Sequence, residues 1–411
     1  MTMRKKKTRP DLRFPGFEEE WQPTPMVELV RRASKPVAVE EETIYFQIGI
    51  RSHGRGIFYK EGVTGEELGN KRVFWVVPNA LIVNIVFAWE QAVAKTTEEE
   101  VGRIASHRFP MYLPIMNRAD LDFLLYLFLT SRGKYLLELA SPGGAGRNKT
   151  LGQEEFSKLK ITVPTAPEQR KIATFLSAID RRLDLLRQQH QHLQQYKKGL
   201  MQRLFSQQLR FTDEQGQAFP EWEEAKLGTF LIEHKVRNTN LEFNEVFSVA
   251  KEKGVVNQIE HLGRSYASSD TSNYKVTFPG DIIYTKSPTS NFPYGIIKQN
   301  QTGRIGIVSV LYGVFKPKTY LIGQLLHYYF LSWVNTFNYL HPLVHKGAKN
   351  TMNIGNTEFL NGRLISLPKS TKEQQKIADC LSALDHKIDG VAQQIEHTET
   401  YKRGLLQQMF V

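Results

Sequence analysis

"EQRKIATFLSAIDRRLDLLRQQHQHLQQYKKGLMQRLF" runs from Glu168 to Phe205, and "EQQKIADCLSALDHKIDGVAQQIEHTETYKRGLLQQMF" from Glu373 to Phe410. They align without a gap and are identical at about half of their positions, more than shared helix-forming composition produces. In the first copy, apolar residues fall at Ile172, Leu176, Ile179, Leu183, Leu186, Leu193, Leu200 and Leu204; the second copy has Ile377, Leu381, Leu384, Ile388, Val391, Ile395, Leu405 and Met409. Alternating steps of four and three predict two long helices with a coiled-coil seam. Thr165-x-x-Glu168 and Ser370-x-x-Glu373 predict capping boxes at their starts. Each helix is roughly 57 Å long at 1.5 Å per residue, so its seam needs a partner. The other copy is the simplest one, and the segment between them is long enough to let the pair run antiparallel. His190, Lys197, Thr398 and Lys402 interrupt the seam. Such residues either fix register or carry their polar ends out to water.

A second element is also written twice. "LRFPGFEEEW" (Leu12–Trp21) opens one half and "LRFTDEQGQAFPEW" (Leu209–Trp222) the other. The middle portions look dissimilar except at their ends, where "GAGRNKTLGQEEF" (Gly144–Phe156) matches "GAKNTMNIGNTEF" (Gly347–Phe359). The expected fold class is α+β: two α/β heads, separated by two long antiparallel coiled-coil helices, in a pseudo-two-fold internal repeat. The expected boundaries are 1–22 for a basic arm and opening segment, 23–163 for the first head and 164–208 for the central helix. Residues 209–368 form a second opening segment and head, and 369–411 the C-terminal helix.

The 411 residues carry 54 Lys and Arg against 42 Asp and Glu, a net charge of +12, which favours a polyanionic partner, nucleic acid before membrane. The lone Cys380 excludes an internal disulfide, a Cys-based zinc site and a Cys-x-x-Cys redox motif, and fits a reducing, cytoplasmic location. The most apolar run, Val73–Ala94, contains Pro78, Asn79, Asn84 and Glu90, so it reads as buried strands with a turn rather than as a membrane span.

No catalytic, cofactor or metal site is legible. "NFPY" (Asn291–Tyr294) lacks the first proline of an adenine methyltransferase motif, and His341 and His345 are four apart but separated by Pro342. "GGAGRNKT" (Gly143–Thr150) differs from a P-loop at Asn148, and the repeat places Met352 and Asn353 opposite Lys149 and Thr150. Candidate DNA contacts lie instead in loop-like segments that mix basic, amide and hydroxyl residues with Gly or Pro. In the first head they are Arg51, Ser52, His53, Arg55, Lys71, Arg72, Ser106, His107, Arg108, Arg147, Asn148 and Lys149. In the second they are Lys286, Ser287, Ser290, Asn291, Arg304, His345, Lys346, Lys349 and Asn350.

The two helical signatures, with "PDLRFPGFEEEW", resemble the two conserved regions of specificity (S) subunits of type I restriction–modification systems. "LIVNIVFAWEQAVA" (Leu81–Ala94) and "FPGDIIYTKS" (Phe278–Ser287) are similar to strand segments of their target-recognition domains. The resemblance implies a non-catalytic subunit of a DNA adenine methyltransferase and restriction endonuclease complex. Each head would read one half of a bipartite site in double-stranded DNA. The helices would set the spacing and dock two methyltransferase (M) subunits, with restriction (R) subunits joining through that core. It implies no cofactor on this chain, S-adenosylmethionine on the M subunits, ATP and Mg on the R subunits, and no membrane. The alternative from the residues alone is a stand-alone two-headed DNA-binding regulator.

Overall fold

Residues 9–142, 149–288, 292–346 and 352–411 are described in the structure, a computed structural model. The chain divides into two units. Unit 1 comprises Met1–Arg187 and Gln393–Val411, and unit 2 comprises Gln188–Ala392. The predicted helices form Ala166–Phe205 (the central helix) and Thr371–Gln408 (the C-terminal helix). Each contributes its first part to one unit and its last part to the other.

In unit 1 the strands are β1 (Gln22–Pro25), β2 (Val30–Ala33), β3 (Ile44–Ile50), β4 (Ile57–Thr64), β5 (Val73–Trp75), β6 (Leu81–Val83), β7 (Val93–Lys95), β8 (Ile104–Ser106), β9 (Met111–Pro114) and β10 (Lys160–Val163). One four-stranded sheet has the order β2-β9-β6-β7, all antiparallel, and another the order β4-β3-β8-β5. The run Val73–Ala94 is indeed strands: β5 and β6 flank the Pro78–Asn79 turn, where Asn79 adopts φ 56°. Helices Leu121–Leu129 and Ser131–Leu139 follow. Thr130 breaks between them and caps the second, accepting from the Gly133 N–H at 2.9 Å. Gly133 is required there, because a Cβ would lie 2.0 Å from the Leu127 carbonyl oxygen. A short helix, Gln153–Lys158, leads to β10, which pairs with β1.

Unit 2 contains β11 (Glu223–Ala225), β12 (Leu231–Glu233), β13 (Phe247–Ala250), β14 (Gly254–Asn257), β15 (Lys275–Thr277), β16 (Ile282–Tyr284), β17 (Ile297–Gln299), β18 (Gly306–Val308), β19 (Gly313–Pro317), β20 (His345–Lys346), β21 (Met352–Asn353) and β22 (Ile365–Leu367). The antiparallel sheet β12-β19-β16-β17 repeats β2-β9-β6-β7 strand for strand. The β13–β14 and β15–β18 pairs repeat β3–β4 and β5–β8. A parallel bridge joins the pairs in both units, Gln47 with Ile104 and Val246 with Ile307. Helices Tyr320–Leu331 and Trp333–Leu340 repeat the helix pair, Asn356–Leu360 the short helix, and β11–β22 the β1–β10 pair. The middle portions, dissimilar in sequence, are therefore one fold written twice.

The two repeated motifs form a single device. Arg13 of the first "LRF" sends Nε and Nη2 to the two carboxylate oxygens of Glu168, at 2.7 and 2.8 Å. Arg210 of the second does the same to Glu373, both at 3.1 Å. Trp21 adds an N–H bond to Glu168 at 3.4 Å. The expected capping boxes are not what these glutamates make. Both carboxylates are buried under the opening segment, where a bidentate arginine offsets their desolvation.

Each unit also pairs the start of one long helix with the end of the other. In unit 1, Ile172, Leu176, Ile179 and Leu183 share a core with Leu405, Met409 and Phe410. In unit 2, Ile377 and Leu381 share one with Met201 and Leu204. The direction is antiparallel: Asp180 meets Lys402 and Arg187 meets Glu399. Lys197 pairs with Asp385 in the equivalent place in unit 2. The two seam lysines are thus ion-paired, whereas the Thr398 hydroxyl donates back to the Gln394 carbonyl of its own helix.

Candidate nucleic-acid interface

Strand direction collects the candidate segments of unit 1. Strand β3 runs parallel to β8, and β5 runs antiparallel to β8 with Val73 opposite Ser106. The Arg51–Gly56 turn after β3, Ser106 at the end of β8 with His107 and Arg108 after it, and Lys71–Arg72 before β5 therefore lie at one end of one sheet. The His107 N–H donates to the Arg72 carbonyl at 3.0 Å. Ile85 N–H donates to Arg108 and Leu151 N–H to Ile85, which brings Lys149 to the same end. Arg51, His53, Arg55, Lys71, Arg72, His107 and Arg108 are exposed. Ser52 bonds Glu90 at 2.9 Å, and Lys149 is ion-paired to Glu138. Arg147 and Asn148 lie outside the described residues. Helix Ser131–Leu139, not a strand, precedes "GGAGRNKT", so the strand–loop–helix frame of a phosphate-binding loop is not built around it.

In unit 2, Lys286 and Ser287 follow β16, with Lys286 at φ 57° and half-buried. Burial, and then the nearby Lys275, lowers the Lys286 pKa. Lys275 at the start of β15 is itself lowered by burial and donates to the Tyr312 carbonyl. Tyr294 packs its ring on Phe337 and His341, at 5.5 and 5.7 Å, and so holds the loop after β16 against the segment that leads to His345 and Lys346 in β20. Ser290, Asn291, Lys349 and Asn350 lie outside the described residues. Arg304 is set apart. It precedes β18, at the opposite end from the loop after it, and forks onto Glu260 at 2.9 and 3.0 Å while also pairing with Glu245.

The strand-for-strand repeat adds two candidate residues that the sequence did not single out. The counterpart of the Arg51–Gly56 turn is the β13–β14 tip, where Lys251 and Lys253 are exposed and Lys251 pairs with the exposed Glu252 at 3.1 Å. No motif marks "KEK"; only the strand equivalence does. Among the described residues, no group of three or more His, Cys, Asp or Glu is placed to hold a metal ion, and no helix is long and apolar enough to cross a membrane.

Residues 84–195 match the family model described as type I restriction modification DNA specificity domain. A type I restriction enzyme MjaX specificity subunit of Methanocaldococcus jannaschii is 22% identical over 336 residues, covering 75% of this chain and 74% of that protein. Among solved structures, a type I restriction-modification S subunit from M. genitalium superposes with TM-score 0.57 at 14% identity, covering 98% of this chain and 99% of the other. A chain from a study of complex assembly and conformational transition of the type I R-M system superposes with TM-score 0.52 at 16% identity, covering 96% and 98%. These likenesses show the fold. The domain match places a type I restriction modification DNA specificity domain within residues 84–195, in a chain that is similar over three quarters of its length to a type I specificity subunit.

Proposed function

We propose that this chain is the sequence-reading, non-catalytic subunit of a type I restriction–modification complex. Recognition domains within residues 23–163 and 209–368 each read one half of a bipartite site in duplex DNA. The long helices set the spacing between half-sites and dock two methyltransferase subunits, and restriction subunits attach through that core. S-adenosylmethionine belongs to the methyltransferases, and ATP and Mg to the restriction subunits. The observation that carries the reading is one fold built twice from dissimilar sequences. The same strand order, arginine latch and helix pair recur, while the loops at the sheet ends differ. A split site with two unlike halves asks for that combination: a common frame with separately variable contacts. The exposed basic side chains at the sheet end of unit 1 supply the phosphate-binding charge.

The test is co-expression with a candidate type I methyltransferase subunit of its own host. The expected result is a complex with two methyltransferase copies per chain that writes a split adenine-methylation motif into host DNA, read by methylation-sensitive sequencing. A chain that binds DNA but recruits no methyltransferase would instead be the two-headed regulator.

A further inference from the structure

Hairpin β3–β4 is long and forms one side of the sheet β4-β3-β8-β5. Its strands have seven and eight residues, about 24 to 27 Å at 3.4 Å per residue, against four residues in each strand of β13–β14. Its tip is pinned rather than loose. The Arg51 N–H closes the turn on the Gly56 carbonyl at 3.0 Å, His53 N–H bonds the Glu90 carbonyl at 2.7 Å, and Gly54 N–H bonds Gln91 at 3.0 Å. Three residues with positive φ, His53, Gly54 and Gly56, make so tight a bend feasible. Arg51 lies over the Phe58 ring at 5.0 Å. Arg55 projects from the tip, exposed and without a side-chain partner among the described residues.

The Arg51–Gly56 tip, which extends past the β3–β8 bridge at Gln47 and Ile104, is narrow enough for the major groove, and a guanidinium on a fixed backbone suits the O6/N7 edge of guanine. The short β13–β14 tip offers lysines, which act as point charges toward phosphate. We propose that the β3–β4 tip enters the major groove of one half-site, where Arg55 reads a guanine, and that Lys251 and Lys253 hold backbone phosphates at the other. This deepens the two-headed reading above and rests on it.

The test compares motifs written by the complex of this chain with its methyltransferase partner. Arg55→Ala should relax one G·C position in one half-site, with discrimination there reduced roughly ten- to hundredfold and the other half unchanged. Arg55→Gln should move preference at that position toward adenine, a gain that misfolding cannot mimic. The Lys251→Ala/Lys253→Ala double variant should keep the motif and lower the salt dependence of binding by roughly one to two phosphate contacts. An unaltered motif with Arg55→Ala and Arg55→Gln overturns the reading role of Arg55. An altered motif in the double variant overturns the phosphate role. Failure of the unmodified complex to write a split motif would overturn the two-headed function itself, and this inference with it.

Discussion

The Tyr126 hydroxyl donates to Asp180 at 2.7 Å, and Asp180 also holds Lys402, whose ammonium lies over the Tyr126 ring. The arrangement is repeated in unit 2, where Tyr328 donates to Asp385 at 2.9 Å and Lys197 pairs with the same carboxylate. A tyrosine from the first helix of each helix pair thereby fastens the sheet-and-helix fold of its unit to the long-helix seam. Burial is the leading cause that raises both tyrosine pKa values well above 10, with the adjacent aspartate adding to it.

Removing one partner of this cluster leaves a charge without compensation. Asp180→Ala should destabilise unit 1 by about 1–3 kcal/mol, below the cost for a fully buried pair because the site is partly wet. Asp180→Leu combined with Lys402→Met should recover most of the loss. Urea unfolding of the single and double variants measures both.

The Arg13–Glu168 latch is the more buried contact, with Glu168 only 1% exposed. Arg13→Ala should therefore cost about 3–5 kcal/mol. Arg13→Lys should rescue it poorly, because an ammonium cannot occupy both carboxylate oxygens in one plane. Thermal unfolding of the two variants beside the parent checks the order.

Lys298 on β17 is 4% exposed and forms no hydrogen bond or ion pair among the described residues. Burial, and then the nearby Lys197, pushes its pKa down to about 8. The folded state thus disfavours the charged form. The penalty is full below pH 8 and is relieved between pH 8 and the ordinary lysine pKa near 10.5. Lys298→Met should stabilise unit 2 at neutral pH, by about 3 kcal/mol at most, and abolish a rise in stability above pH 8. Denaturant midpoints from pH 7 to 10 test the sign. The neighbouring His327 is held neutral by burial and accepts the Gln299 N–H at 3.1 Å, so it adds no acid-side dependence in this range.

If the chain reads a split site as proposed, exchange of residues 23–163 for the first head of a type I specificity subunit should alter one half of the methylation motif only. Insertion of one helical turn near His190 in the central helix should lengthen the spacer and leave both halves intact. Sequencing of modified DNA reads both results.

The sequence by itself determined the duplication, the two long helices and their antiparallel seam. Heptad spacing and direct repetition are local properties that survive in a single string. It also carried both halves of the arginine latch, as "LRF" and as the glutamate opening each helix, without showing that they belong together. Pairing Arg13 with Glu168 across the 155 residues between them is a tertiary decision, driven by the cost of burying a carboxylate. The likeness of the two middle portions was likewise invisible. Strands of three or four residues tolerate almost any apolar side chain, so β6 and β16 share a place in the fold with little shared sequence. Strand direction alone gathered Arg51, Arg72 and Arg108 at one sheet end, set Arg304 apart and revealed Lys251 and Lys253. A loop's composition says that it is exposed, but only the pairing of its flanking strands says which other loops it stands beside.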